Sequence, residues 1–148
     1  THFSEVEIDP DTGIVDLVRH IAVNDSGEVI NPLLLGGQVH GGVAQGVGQA
    51  IMEDVTYDTD GQIIAGSFMD YCMPRADDLP MIETADFVEA CQTNPLGVKG
   101  GGESGTVGST AAVINAIIDA LAEYGVKDIN MPATPMKVWQ AMHSGKAA

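Results

Sequence analysis

Residues 97–109 read GVKGGGESGTVGS, six glycines in one short stretch. So little side chain means that this backbone either lies against something bulky or moves as a flexible loop. Glycine-rich loops that open a helix ordinarily receive phosphate, because bare N–H groups and the helix N-terminus attract anions. Here a carboxylate, Glu103, stands in the middle of the loop. Gly100, Gly102 and Gly105 spell the G-x-G-x-x-G string of dinucleotide folds, but that fold needs a strand running into the first glycine. NPLGVK, with Pro95 close ahead, does not read as that strand, and Glu103 would occupy the place of the pyrophosphate. No nicotinamide dinucleotide site is expected. The string leaves two readings of Glu103: a carboxylate held in place as a general base, or a surface glutamate on a loop.

A second glycine-rich stretch has helical periodicity. From Gln38 to Glu53 there is no proline, and Val39, Val43, Val47, Ala50 and Ile51 recur at helical spacing. Gly41, Gly42, Gly46 and Gly48 each cost about 1 kcal/mol relative to alanine in a helix interior. Close approach of another backbone or of a large ligand would explain four of them. Gln38, Gln45 and Gln49 share one side, where the residues alone favour simple solvation over ligand contact.

The rest of the chain supplies strands and two further helices. HFSEVEIDPDTGIVDLVRHIAVND alternates apolar and polar residues around a DPDTG turn, which predicts a hairpin with Val6 and Ile8 on one face. EDVTYDTDGQIIAGSF predicts a second, shorter hairpin turning at TDG. STAAVINAIIDALAEYG predicts a buried helix capped by Ser109 or Thr110 and stopped by Gly125. A last short helix begins at Thr134 and Pro135. Between Ser67 and Gly97, prolines at 74, 80 and 95 predict an irregular excursion, with a strand around 85–90. The fold class expected is α+β, mainly antiparallel hairpins packed with a glycine-rich helix, a buried helix and a short C-terminal helix. Residues 1–143 form one domain and 144–148 a flexible tail.

Composition excludes several functions. Asp and Glu outnumber Lys and Arg by 21 to 6, so the surface repels nucleic acid backbone and anionic membrane. No apolar run reaches the roughly 18 residues of a transmembrane helix. Cys72 and Cys91 lack the close spacing of a zinc or redox pair and are expected as buried thiols in a reducing cytoplasm, with pairing between them left open. The four histidines show no metal-ligand spacing, and His40, inside the glycine helix, reads first as a structural histidine. G-x-S-x-G is absent around Ser104 and Ser109, so serine hydrolysis is not expected.

Three segments in order, GGQVHGGVAQGVGQA, GSFMDYCMPRADDLP and NPLGVKGGGESGTVGS, resemble the C-terminal part of the molybdenum-binding large subunit of the xanthine oxidase family. Within it they are most similar to the branch of aerobic carbon monoxide dehydrogenase and bacterial aldehyde or N-heterocycle dehydrogenases. The resemblance spans nearly the whole chain. It implies that Glu103 is the catalytic base beside molybdenum, taking a proton as an oxygen from water is delivered to an electron-poor carbon. It also implies that the backbones of Gly100, Gly101, Gly102 and Gly105 approach the pterin cofactor, with Gln38 beside it; Ser104 and Lys99 complete the candidate contacts. The cofactor implied is molybdenum–molybdopterin, in the cytosine dinucleotide form, with FAD and 2Fe-2S centres on partner chains. The partners implied are the remainder of the molybdenum subunit, an FAD subunit and an iron–sulfur subunit, with a small-molecule substrate.

Ser104 stands where the family commonly has alanine, and GGGE is a mild variant. The other cofactor loops, the substrate-selecting residues and the iron–sulfur cysteines are absent from these 148 residues. The chain alone is not expected to hold the complete site: it is expected to be a fragment, an isolated domain or a separately encoded piece that completes a larger subunit. The alternative expectation is a non-catalytic assembly or cofactor-binding module.

Overall fold

The computed structural model describes residues 1–144. The hairpin forms as its alternation predicts. Strand β1 (His2–Ile8) pairs antiparallel with β2 (Val15–Asn24) across a turn in which Gly13 N–H donates to the Asp9 carbonyl at 2.7 Å. The register slips between Glu5 and Val6, which face Arg19 and Leu17 and leave Val18 as the extra residue of a bulge. A one-residue slip exchanges the two faces of a strand. Accordingly Val15 and Leu17 point inward before the bulge, and His20, Ala22 and Asn24 do so after it. Val6 and Ile8 share the inner face of β1 and pack on the core.

Strand β3 (Glu83–Asp86) adds to the other side of β2 and runs parallel to it, giving the order β1-β2-β3. It starts two residues ahead of the segment around 85–90 expected from sequence. The second expected hairpin contracts to a single antiparallel bridge, Tyr57 with Ile63, closed by the Asp58 and Asp60 turn. Its residues are almost all exposed, so no buried face fixes a longer ladder.

Helix α1 (Pro32–Ile51) begins six residues before Gln38, because Asn31 caps it by accepting the Leu34 N–H and Pro32 sits at its first turn. Helix α2 (Ser104–Ala120) begins five residues before the predicted Ser109 cap. Ser109 instead lies inside it, buried, its hydroxyl donating to the Gly105 carbonyl at 2.7 Å. Nor is α2 buried all round: Gly105, Ser109, Val113 and Ile117 face inward, while Val107, Ala111, Asn115 and Asp119 are exposed. A single 3₁₀ turn, Ala122–Tyr124, follows, and Gly125 ends it with φ 77°. Helix α3 (Pro135–Ser144) starts where Thr134 and Pro135 predict and includes His143 and Ser144. The expected tail is thus helical at Ser144, and 145–148 lie outside the described residues.

The core joins Leu17 and Ala22 of the sheet, Val39, Val43 and Val47 of α1, Val113 and Ile117 of α2, and Val138 and Met142 of α3. Helix α2 packs against both α1 and β1. Both thiols are free; Cys72 is exposed and Cys91 half-buried, contrary to the buried positions expected. Each sits in the irregular 67–97 excursion, which has little core to enter.

Candidate functional site

Two glycines of α1, Gly42 and Gly46, are explained by the start of α2, whereas a Cβ on Gly41 would meet nothing within 4 Å and one on Gly48 would meet the Glu53 and Pro74 side chains. A Cβ on Gly42 would stand 3.0 Å from Thr106 N and 3.1 Å from Gly105 Cα, and one on Gly46 would overlap the Ser109 hydroxyl at 2.0 Å. In return, a Cβ on Gly105 would meet the Val39 carbonyl at 2.6 Å. The first turns of α2 therefore lie directly on α1, at a separation that only glycine permits on both sides. Hydroxyls stitch the seam: Thr106 Oγ1 donates to the Gly42 carbonyl at 3.0 Å, and Thr110 Oγ1 to the Gly46 carbonyl at 3.3 Å. This contact fixes where α2 starts, and with it Glu103.

The loop ahead of α2 is tied at several points. Lys99 N–H donates to the Ser26 carbonyl at 2.9 Å and Glu28 N–H to the Gly97 carbonyl at 3.0 Å. Gly101 is pressed inward, since a Cβ there would lie 2.9 Å from both Leu35 Cδ1 and Ser26 Oγ. Gln38 on α1 donates its Nε2 to the Gly102 carbonyl at 2.7 Å, and Ser104 Oγ donates to the Gly101 carbonyl at 3.3 Å. Gln45 accepts from Thr106 Oγ1 at 3.2 Å. Gln38 and Gln45, for which the residues alone favoured solvation, thus hold the loop and the start of α2.

Glu103 is the N-cap residue of α2, yet its side chain makes no capping hydrogen bond. An acid at this position ordinarily accepts from the first-turn N–H groups. Here the carboxylate is exposed and left free for another partner, while the main chain on each side of it is anchored. Gly100 and Gly102 have no heavy atom within 4 Å of where a Cβ would stand, and both are exposed. Their lack of a side chain answers nothing within this chain; it leaves a bare outward surface of main chain beside Glu103.

Lys99 does not serve Glu103. Its Nζ pairs with Asp25 Oδ2 at 2.5 Å, each side chain about one-third exposed. The Lys99 ammonium, with the Gly27 N–H, holds the Asp25 carboxyl below the usual carboxylate range. Glu103, Gln38, Ser104 and Gly100–Gly102 are therefore brought together, Gly105 lies beneath them in the helix seam, and Lys99 braces the loop from behind.

Sequence reasoning missed Thr106 and Asp25, although Thr106, Ser109 and Thr110 form a polar stripe at helical spacing that faces the α1 glycines. It also missed a buried polar chain under α2. His20 is fully buried; its Nδ1 lies 2.9 Å from Ser4 Oγ and its Nε2 3.2 Å from His2 Nδ1, and His2 reaches Asn24 Oδ1 at 3.4 Å. Burial, with the neighbouring His2, pushes His20 down to about 4. No trio of His, Cys, Asp or Glu capable of holding a metal ion occurs among the described residues.

The molybdopterin cofactor-binding domain family matches residues 1–80. The chain is 41% identical over 140 residues to the nicotine 6-hydroxylase large subunit of Paenarthrobacter nicotinovorans, covering 95% of this chain and 17% of that protein. Among solved structures it resembles quinoline 2-oxidoreductase from Pseudomonas putida 86, with TM-score 0.89 and 38% identity over 93% of this chain and 17% of that one. It also resembles CO dehydrogenase from Oligotropha carboxidovorans, with TM-score 0.91 and 35% identity over 95% of this chain and 18% of that one. The chain thus spans about one sixth of the length of the relatives it matches. With an α+β fold shared at this identity over more than nine-tenths of its length, the chain belongs to the molybdopterin cofactor-binding domain family, among the molybdenum-binding large subunits of the xanthine oxidase family.

Proposed function

We propose that this chain is the base-bearing C-terminal part of a molybdenum hydroxylase or dehydrogenase large subunit, with Glu103 as the base. The observation that carries this reading is the free Glu103 carboxylate, fixed by a main chain that is anchored on both sides but bare at Gly100 and Gly102. These residues suit a flat, hydrogen-bonding pterin: two glycines leave open space, and backbone N–H groups at the start of α2 are donors. Gly100, Gly101, Gly102 and Ser104 would hold the cofactor through main chain, while Gly105, buried against α1 and not at the surface the sequence resemblance implied, would seat the helix start beneath them. Gln38 would set the height of the loop through Gly102, and Lys99 would brace it through Asp25. A bound molybdenum–molybdopterin group supplies the two-electron oxidation of the substrate.

The contribution of the chain itself is proton transfer. A carboxylate held at a fixed point accepts a proton from water-derived oxygen as that oxygen is transferred to the substrate, and exclusion of bulk water falls to the polypeptide that covers Glu103 in the whole subunit. Relatives named for nicotine hydroxylation, quinoline oxidation, aldehyde oxidation and CO dehydrogenation support an N-heterocycle, aldehyde or carbon monoxide-type substrate. The cytosine dinucleotide form of the cofactor, an FAD subunit and a 2Fe-2S subunit belong to the same proposal. In the assembled enzyme, Glu103→Gln is expected to lower steady-state turnover by about 10² to 10⁴. The exposure of Glu103 in this chain favours one second reading, an assembly module without chemistry. That reading predicts unchanged turnover in the same variant.

A further inference from the structure

At the far end of α1 from Gln38, about 20 Å along the helix axis, lies a cavity of about 470 Å³. Ile14, Ile51 and Met52 supply apolar wall, and Cys72 contributes a thiol. The charged residues lining it are Asp16, Asp77 and Asp78, all exposed, and no cation joins them. Asp78 already accepts the Arg75 N–H at 2.7 Å, while Asp16 and Asp77 keep their full acceptor capacity for a donor from outside. The C-terminal end of α1 adds the negative pole of its dipole at Ile51 and Met52, against the opposite pole of α3 at Pro135.

We propose that this cavity receives an apolar segment bearing a lysine or arginine, from the remaining polypeptide of the same large subunit. Charge selects the kind of occupant: carboxylates above an apolar floor match a side chain with an aliphatic stem and a cationic head. A second copy of this chain, with a net charge of −15, is repelled. Permanence selects the source. Ile14 is itself exposed, as are Met73 and Met136, which follow the lining residues Cys72 and Pro135 in the chain, and interfaces that never separate are the more apolar ones. Relatives carry about five times as much polypeptide beyond the matched region, which provides such a segment. The inference rests on reading the chain as part of a large subunit, but not on Glu103 chemistry.

The test uses the assembled enzyme. Cys72 is expected to resist maleimide until urea unfolds the protein, as read by peptide mass mapping. With p-benzoylphenylalanine at position 14, irradiation is expected to join residue 14 to a Lys- or Arg-containing peptide outside 1–148 of the same polypeptide. Rapid native labelling of Cys72, or cross-links to a partner subunit or a second copy, would overturn the proposal. Because both readouts ignore turnover, an active enzyme with an open Cys72 would refute the docking alone, and an inactive Glu103 variant with a protected Cys72 would leave it standing.

Discussion

Glu103 and His20 show how differently two titratable side chains can be placed by one chain. Glu103 caps α2 in backbone position only, so its carboxylate is not consumed by the helix it starts. His20 is enclosed, with Ser4 and His2 as its partners. A histidine held well below its ordinary value binds fewer protons folded than unfolded, so stability is full above about pH 6.5 and falls as pH drops toward about 4. The chain is therefore expected to be less stable at pH 4.5 than at pH 7. Urea unfolding of the chain at pH 7 and pH 4.5 measures the difference, and His20→Gln is expected to flatten it. Glu103 was legible from sequence because a lone acid among glycines is conspicuous; the His20 network was not, since its partners are 16 and 18 residues away and only the bulge at Val18 turns His20 inward. Lys99 was legible as a neighbour of the loop, but its pairing with Asp25, 74 residues distant, was not.

At the level of elements, the contact between α1 and α2 decides where the loop sits. Gly46 and Gly100 separate the two uses of glycine. Gly46→Ala forces a methyl group into the Ser109 hydroxyl and the Thr106 carbonyl, and is expected to cost about 1–3 kcal/mol in thermal or chemical unfolding. Gly100→Ala meets nothing in this chain and is expected to change stability by no more than about 0.5 kcal/mol. In the assembled enzyme the same Gly100→Ala is expected to lower molybdenum content, measured by elemental analysis, because the methyl group occupies the surface proposed for the cofactor. Sequence periodicity located both helices and offered close approach of another backbone or a large ligand for four α1 glycines; this holds at Gly42 and Gly46 against α2, is met by side chains at Gly48, and fails at Gly41, which faces open space. It misplaced the start of α2 because Ser109 and Thr110 look like caps, while the seam with α1 lets a glycine-rich turn be helical from Ser104 onward. The second hairpin failed for the opposite reason: its turn chemistry is sound, but its strands have no buried face to pair for.

At the scale of the whole molecule, large apolar side chains stand exposed. Phe68 is 84% exposed, Met69 96% and Val107 70%, and these lie beside the excursion and the Glu103 face. Side chains of this kind, exposed together, mark surfaces that meet other protein. The isolated chain is expected to bind Nile red in its native state at neutral pH, whereas the assembled enzyme is not; a dark isolated chain would contradict covered apolar faces. The cavity holding Cys72 was not legible in sequence, because it forms where four segments distant in sequence converge. The central claim is that Glu103 moves a proton in the assembled enzyme. Its most direct test is the rate of anaerobic reduction by substrate in a single turnover, normalised to molybdenum bound, for the native enzyme and for Glu103→Gln. The account predicts a fall of about 10² to 10⁴ per molybdenum with the metal retained; an unchanged rate per molybdenum would contradict it.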